Sequence, residues 1–350
     1  MISKRFKHNG KSILKLNELQ LYIKKQIERE IKEGLYFFEK VNCIVCGGEN
    51  FEILSEKDRY GLYAPIVICK NCGLIQMNPR MTQEAYNHFY NTEQKKLYVG
   101  KSFITDEYFK SQYNKGKRIF RYLQEKLKIN INNLNILEVG TSAGGILKYF
   151  KDKGNKVCGC DLCSEYIEYG KKQYGLNLFV GTIENMDIKQ TPDIIIYSHV
   201  LEHVLNPIAE LNRLKSIIDK DSYIYIEVPG VKYLKYSYDM NFLKQLQNAH
   251  VYYFTLTTLE NVLEQAGYDL VSGNEIIQSI FKLSLGNNKN YESDYATTIS
   301  FLKKMEFYRL LPTAYNLKHL ITPTLINFLK QVGLYSVAKK IYHKIKTFLK

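Results

Sequence analysis

Two pairs of cysteines, Cys43/Cys46 and Cys69/Cys72, each spaced Cys-x-x-Cys and each followed by glycine, stand 22 residues apart. Four thiolates so spaced can take the corners of a tetrahedron, and zinc is the ion that such a set selects. Four protein ligands leave no open coordination position, so the expected role is structural. The runs between the pairs, Phe51–Leu54 and Ile66–Ile68, suit the strands of a small hairpin. A unit burying so little core is expected to depend on its metal, which supplies on the order of 10 kcal/mol of folding free energy. Cys158, Cys160 and Cys163 alternate along a strand beside Asp161 with no histidine nearby in sequence, and are expected to be small buried thiols.

A second constellation begins at Glu138. The apolar run around it turns through Gly140-Thr-Ser-Ala-Gly144 into the amphipathic stretch 145–153, which is the pattern of strand, tight turn and helix N-terminus. Gly140 and Gly144 are expected to let a ligand approach backbone where a Cβ would collide, and the helix offers free N–H groups to a carboxylate or phosphate. Residues 155–161 form a second strand ending in Asp161, where doubly wound folds hold ribose hydroxyls. On spacing alone, a dinucleotide oxidoreductase and an inert Rossmann-like scaffold stay open.

Histidine suits proton transfer, because its pKa lies near neutrality. Of the seven, His8, His88, His319 and His343 are set aside by position. His199 and His203 follow the fourth strand, four residues apart and so expected on one side of a helical turn, and His250 lies in the loop after the fifth.

These residues need a scaffold to converge. Strands are expected at Asn135–Val139, Lys156–Cys160, Asn177–Val180, Asp193–Tyr197 and Tyr223–Glu227, with a final pair at Leu270–Ile277 and Ile280–Leu285. The helical stretches between them call for a parallel sheet. A lead-in helix is expected over Phe103–Leu127, and an amphipathic N-terminal one carries Leu16, Leu19, Ile23, Ile27 and Ile31. Asn78-Pro79 breaks a strand, after which Thr82 can cap a helix bearing Tyr86, Phe89 and Tyr90.

The pattern Glu138-x-Gly140-x-Ser142-x-Gly144 resembles the first motif of the class I S-adenosylmethionine-dependent methyltransferases, with Ser142 in place of the middle glycine. Ser198–Pro207 matches that family's "His-x-Leu-Glu-His-x-x-x-Pro" pattern after strand four. The resemblance implies an α/β Rossmann-like core with a mixed seven-stranded sheet. It places Gly140 to Gly144 at the methionine part of S-adenosylmethionine, Asp161 at the ribose, Glu184 along the adenine and His199 beside the sulfonium. Four cysteines running into Gly73-Leu-x-Gln-x-Asn-Pro79 resemble a narrower group, the zinc-domain methyltransferases of sugar biosynthesis, typified by deoxysugar C-methyltransferases. In that group the zinc domain helps cover the acceptor pocket, so Tyr86 or Tyr90 is expected to face substrate. His203 and His250 match the group's active-site histidines, but Ala249 replaces its glutamate. O-methylation is therefore expected ahead of C-methylation, with His250 as general base and His203 assisting or binding substrate. Glu227 is held in reserve for sugar hydroxyls.

The expected organisation is an N-terminal helix (1–40), a zinc ribbon with a following helix (41–100), the methyltransferase core (101–286) and a basic helical tail (287–350). The formal charge of +14 favours anionic partners. An RNA acceptor is disfavoured, because the chain lacks an Asn/Asp-Pro-Pro-aromatic tetrad and a dense arginine patch. A non-catalytic binding subunit is disfavoured by the intact Glu138 and Asp161. The expected acceptor is a sugar on a nucleotide-linked or glycolipid precursor of surface polysaccharide, and an oligomer is allowed. No apolar run is long enough to span a membrane and residues 1–20 carry charges, so a cytoplasmic protein is expected. In the tail, Leu334, Val337, Ile341, Ile345 and Phe348 share one side while Lys339, Lys340, Lys344 and Lys346 crowd elsewhere. Such a helix suits peripheral contact with an anionic membrane surface, such as its inner face.

Overall fold

The computed structural model describes residues 1–99, 106–284, 286, 291–310, 330, 331 and 333–337. Helix α1 (Glu18–Lys32) starts in a capping box, with Gln20 N donating to the Asn17 side chain and Asn17 N donating to the Gln20 side chain. Ile23 and Ile27 are buried as their spacing predicts, while Leu21 and Tyr22 face outward. Then follow β1 (Phe38–Glu39), β2 (Phe51–Lys57), β3 (Tyr63–Cys69), β4 (Ile75–Met77), β5 (Arg80–Met81), α2 (Gln83–Thr92) and α3 (Gln94–Val99). Thr82 caps α2 as expected, its Oγ1 accepting from Ala85 N at 3.4 Å.

The second half is built from α4 (Asp106–Leu127), β6 (Asn135–Val139), α5 (Gly145–Asp152), β7 (Lys156–Asp161), α6 (Ser164–Tyr174), β8 (Leu178–Val180), β9 (Ile194–Ser198), α7 (Pro207–Leu214) and β10 (Tyr223–Glu227). It continues through α8 (Phe242–Gln245), β11 (Tyr252–Tyr253), α9 (Leu256–Gln265), β12 (Tyr268–Ser272), β13 (Gln278–Leu283) and α10 (Tyr295–Leu310). The seven-stranded sheet runs β12-β13-β10-β9-β6-β7-β8. Its five strands from β8 to β10 are parallel, and β13 is antiparallel to both neighbours. Strands β6 and β10 have the expected bounds, β7, β8 and β9 differ from theirs by one residue, and the final pair is shifted toward Tyr268 and Gln278.

Side-chain alternation divides the sheet faces. Ile136, Ile194, Ile196 and Tyr225 pack with α4, α5 and α6, while Leu137, Val139, Ile195, Tyr197, Ile224 and Ile226 pack with α7 and α9. The second face does not stop at the core: the same cluster takes in Ile23, Ile27, Cys43, Leu74 and Phe89. A four-stranded sheet, β11-β4-β3-β2, also crosses the expected boundary at residue 100, because β11 belongs to the second half. The expectation of little core in the cysteine unit is thereby corrected. Leu54, Ala64, Ile66, Ile68, Ile75 and Met77 are buried against Leu243, Leu246, Tyr253 and Leu302. The unit borrows its partners from far along the chain.

The lead-in helix begins at Asp106, and its expected start at 103 lies outside the described residues. So does most of the basic tail, including Ile341, Ile345, Phe348 and its lysines. Among the described residues no helix is long and apolar enough to cross a membrane.

Candidate active site

The four cysteines meet. Cys43 and Cys72 sulfurs lie 3.3 Å apart, those of Cys46 and Cys69 3.4 Å apart, and all four within 4.8 Å of one another. Gly47 N and Gly73 N each donate to the carbonyl of the cysteine four residues earlier, at 2.8 Å. The glycine amides thus close the turns instead of pointing at sulfur.

At the carboxyl end of β6 the glycine turn brings its neighbours together. Ser142 N donates to Asp161 Oδ2 at 2.9 Å, Cys163 N donates to Oδ1 at 2.8 Å, and Tyr108 reaches the Ser142 hydroxyl at 3.3 Å. Glu138 is buried beneath the turn and accepts from Thr141 Oγ1 at 2.8 Å, and burial raises its pKa to about 8. Gly140 and Gly144 both have positive φ. A Cβ on Gly140 would lie 2.4 Å from Val200 Cγ2, and one on Gly144 2.6 Å from Leu176 Cδ1. At both glycines an added Cβ would meet the protein's own side chains. Glu184 follows β8 on a short 3-10 turn (Ile183–Asn185), its carboxylate paired with Arg213 of α7. Cys160 is buried and Cys158 and Cys163 are half-buried.

The histidines converge, but not on a continuous α-helix. His199 has a left-handed backbone (φ 59°) and its N–H donates to Glu227 O at 2.8 Å. The 3-10 turn Leu201–His203 follows. His199 Nδ1, His203 Nε2 and His250 Nε2 lie 3.4, 3.8 and 3.9 Å from one oxygen, Oε1 of Glu202. Glu202 is 1% exposed, and neither of its carboxylate oxygens has a hydrogen-bond partner among the described residues. The Ser198 hydroxyl is also buried without one.

Ring orientations follow from the outer partners. The Ala249 carbonyl only accepts, so His203 Nδ1 carries a proton and donates to it at 2.8 Å. Tyr90 OH lies against the same Nδ1, and Tyr86 OH donates to Ala249 O. Arg59 Nη2 donates to Gln247 Oε1 at 2.9 Å, which turns the Gln247 amide nitrogen toward His250 Nε2. Burial lowers the pKa of His203, and burial with the neighbouring His203 and Arg59 lowers that of His250 well below its ordinary value. Burial works the same way on His199, but the carboxylates of Glu202 and Glu227 outweigh it and raise its pKa. Glu227 is held by Arg118 Nη2 at 2.7 and 2.9 Å and by Tyr225 OH at 2.8 Å. Although burial opposes its charge, His199 and Arg118 bring its pKa down to about 2.

Residues 109–273 match the family described as a methyltransferase domain. The match takes in just under half of the chain. No curated protein matches the sequence. Similar solved structures include a Burkholderia thailandensis 1,6-didemethyltoxoflavin-N1-methyltransferase with bound S-adenosylhomocysteine, at 14% identity, covering 67% of this chain and 100% of that one (TM-score 0.43). Others are an S-adenosylmethionine-dependent methyltransferase from Clostridium acetobutylicum (11% identity, 57% and 99% covered, TM-score 0.39) and one from Aquifex aeolicus (20%, 49% and 96%, 0.36). Likenesses this distant say nothing of substrate.

Within the methyltransferase domain, sequence reasoning missed three groups. Glu202 stood inside a quoted motif, yet only its flanking histidines drew attention. Arg118 binds Glu227 from α4, and Lys115, one turn earlier on the same helix, has its pKa lowered by burial while Glu227 and Glu138 favour its charge. Nothing in the spacing of an amphipathic helix singles out those two cations.

Proposed function

We propose that this methyltransferase transfers a methyl group from S-adenosylmethionine to a hydroxyl of a sugar carried on a nucleotide-linked or glycolipid precursor. The observation that carries the reading is the meeting of Tyr90, His203 and His250 beyond the carboxyl end of β9, under a cap made by the cysteine unit. A sugar offers hydroxyls, and imidazoles, a phenol and a carboxylate meet here. The buried Ser198 hydroxyl and Glu202 carboxylate, both without partners among the described residues, fit a polar ligand at this edge. The residues of the turn fit the cofactor: Ser142 and Asp161 are tied together beside the N-terminus of α5, and Asp161 remains half-exposed. Bound S-adenosylmethionine supplies a sulfonium methyl group for displacement.

The chain's own residues then have separable tasks. The Gly140–Gly144 turn, Asp161 and Glu184 hold the cofactor, and His199 borders its reactive end. Tyr90 and Tyr86 fix the His203 ring and the Ala249 carbonyl. The cluster of His203, Glu202 and His250 handles the acceptor hydroxyl and its proton. His250 is 3% exposed, so the acceptor meets the half-buried His203 first. Cys43, Cys46, Cys69 and Cys72 hold a structural zinc ion that keeps the cap in place.

The test uses methyl-labelled S-adenosylmethionine, purified protein and fractionated host extract lacking the methylation. Label in nuclease-resistant, sugar-containing material supports the reading, and its presence in a lipid fraction would identify a lipid-linked acceptor. Label lost on nuclease treatment would replace it with an RNA acceptor.

A further inference from the structure

The Glu202 cluster poses an electrostatic problem that His199, on one side, meets only in part. A carboxylate 1% exposed, with no hydrogen bond to either oxygen among the described residues, is costly to bury. The nearest polar atoms are ring nitrogens: His199 Nδ1, at 3.4 Å, pairs with Glu202 from one side, and the other two bring no proton to it. His203 uses its Nδ1 proton on Ala249 O, so its Nε2, 3.8 Å from Glu202 Oε1, is bare. His250 Nε2, 3.9 Å away, faces the donor side of the Gln247 amide and carries no proton either. Glu202 Oε1 and His203 Nε2 therefore face one another with no hydrogen between them, and His250 Nε2 stands beside them with its lone pair on the Gln247 amide hydrogen. The arrangement is unfavourable with nothing between them and favourable around a cation.

We propose that Glu202, His203 and His250 bind a divalent first-row transition-metal ion, with the remaining positions open to the acceptor. The ligand atoms of Glu202, His203 and His250 lie within 4.8 Å of one another, a spacing that a single ion can bridge. Two imidazoles with one carboxylate suit Mn, Fe, Co or Zn, whereas Mg and Ca prefer oxygen ligands throughout. The outer shell is that of a metal-binding histidine: the Nδ1–H of His203 is anchored on a backbone carbonyl, which fixes the tautomer that leaves Nε2 free. At His250 the ion takes the place of the Gln247 amide hydrogen. Glu202 and His250 are buried, while His203 and His199 are more open, so the accessible side of the ion faces the acceptor.

This inference rests on the O-methylation reading above and gives it a means. An acceptor hydroxyl bound to the ion is acidified. Its proton leaves to water, an oxygen lone pair forms the bond to the methyl carbon, and the carbon–sulfur pair stays on sulfur. A sugar with vicinal hydroxyls can hold the ion through both oxygens.

Mn2+ separates this site from the cysteine cluster, because thiolates select softer ions. Full-length protein adjusted to one zinc per chain, which the four thiolates hold, is titrated with Mn2+ and the free ion is followed by electron paramagnetic resonance. One Mn2+ per chain is expected, with affinity at least tenfold weaker in Glu202→Gln and in His203→Gln. S-adenosylhomocysteine binding serves as the check that each variant is folded, and the half-exposed His203 gives a second variant where the buried one fails to fold. No bound Mn2+ in the wild type, or undiminished binding in a folded variant, overturns the site. Methylation that proceeds at full rate after Mn2+ is removed overturns the ion's role in acidifying the hydroxyl and leaves the sugar reading standing. Ligand-dependent Mn2+ binding with no sugar methylated supports the site and overturns the acceptor reading instead.

Discussion

Glu138 sits under the glycine turn with its pKa raised to about 8 by burial, against an ordinary 4.5. The folded chain therefore binds this proton where the unfolded chain has lost it. Its contribution to stability is fully present below pH 4.5 and is lost as pH rises through about 8. Glu138→Gln removes that dependence. Between about pH 5 and pH 9, the stability of the wild type relative to the variant should fall by on the order of 3 kcal/mol. Asp58 and Glu93, whose pKa values burial also raises to about 7, cancel in the comparison. Thermal melts of both proteins across that range check it, and parallel curves would show that Glu138 is ionised in the fold. Tyr90 permits a sharper test of the acceptor side. Tyr90→Phe removes the hydroxyl on His203 Nδ1 while keeping the ring, and should lower kcat by about tenfold, the scale of one hydrogen bond. S-adenosylhomocysteine affinity should stay unchanged, and an unaltered kcat would remove Tyr90 from the site.

At the scale of elements, the turn after β6 and the turn after β9 are in contact, and Gly140 marks the place. Gly140→Ala puts a Cβ 2.4 Å from Val200 Cγ2 in a left-handed backbone, just ahead of the 3-10 turn that carries Glu202 and His203. S-adenosylhomocysteine binding should weaken about tenfold, or about 1.4 kcal/mol. Adding Val200→Ala should recover part of this, leaving the backbone cost of about 1 kcal/mol. If the double variant binds no better than Gly140→Ala, the Val200 clash is not the cause. These elements were largely legible in sequence. The unbroken apolar run Ile194–Tyr197 and the glycine turn after Glu138 are local signals, as is the Thr82 cap. The contact that explains Gly140 was not, because Val200 is a neighbour in space alone. Nor was the role of α4, whose cations reach Glu227 by packing geometry that no periodicity encodes. His88 had been set aside by position, yet it pairs with the buried Glu30 at 3.0 Å between α1 and α2.

The whole molecule joins the half that carries the glycine turn to the cysteine unit, and the join passes through the proposed acceptor site. Sequence reading separated the two parts at residue 100, because β11 is only Tyr252-Tyr253 and carries no strand signal of its own. In the fold β11 pairs with β4, and Met77 N donates to Val251 O at 2.8 Å. Arg80 donates to Tyr252 OH at 3.2 Å, and Tyr252 OH to Leu205 O at 3.0 Å. His250 thus takes its position from a sheet whose other strands belong to the cysteine unit, whereas Asp161 and Ser142 take theirs from the core alone. Loss of zinc should divide the two functions. In Cys72→Ser, zinc content should fall and turnover should drop at least tenfold, while S-adenosylhomocysteine affinity stays within about twofold of the wild type. Cys160→Ser, a buried thiol outside the cluster, should keep its zinc. Isothermal titration beside turnover measurements reads both halves of the prediction. Cofactor affinity falling in step with turnover would mean that the cap supports the whole core, and full turnover without zinc would mean that the strand pairing holds His250 unaided.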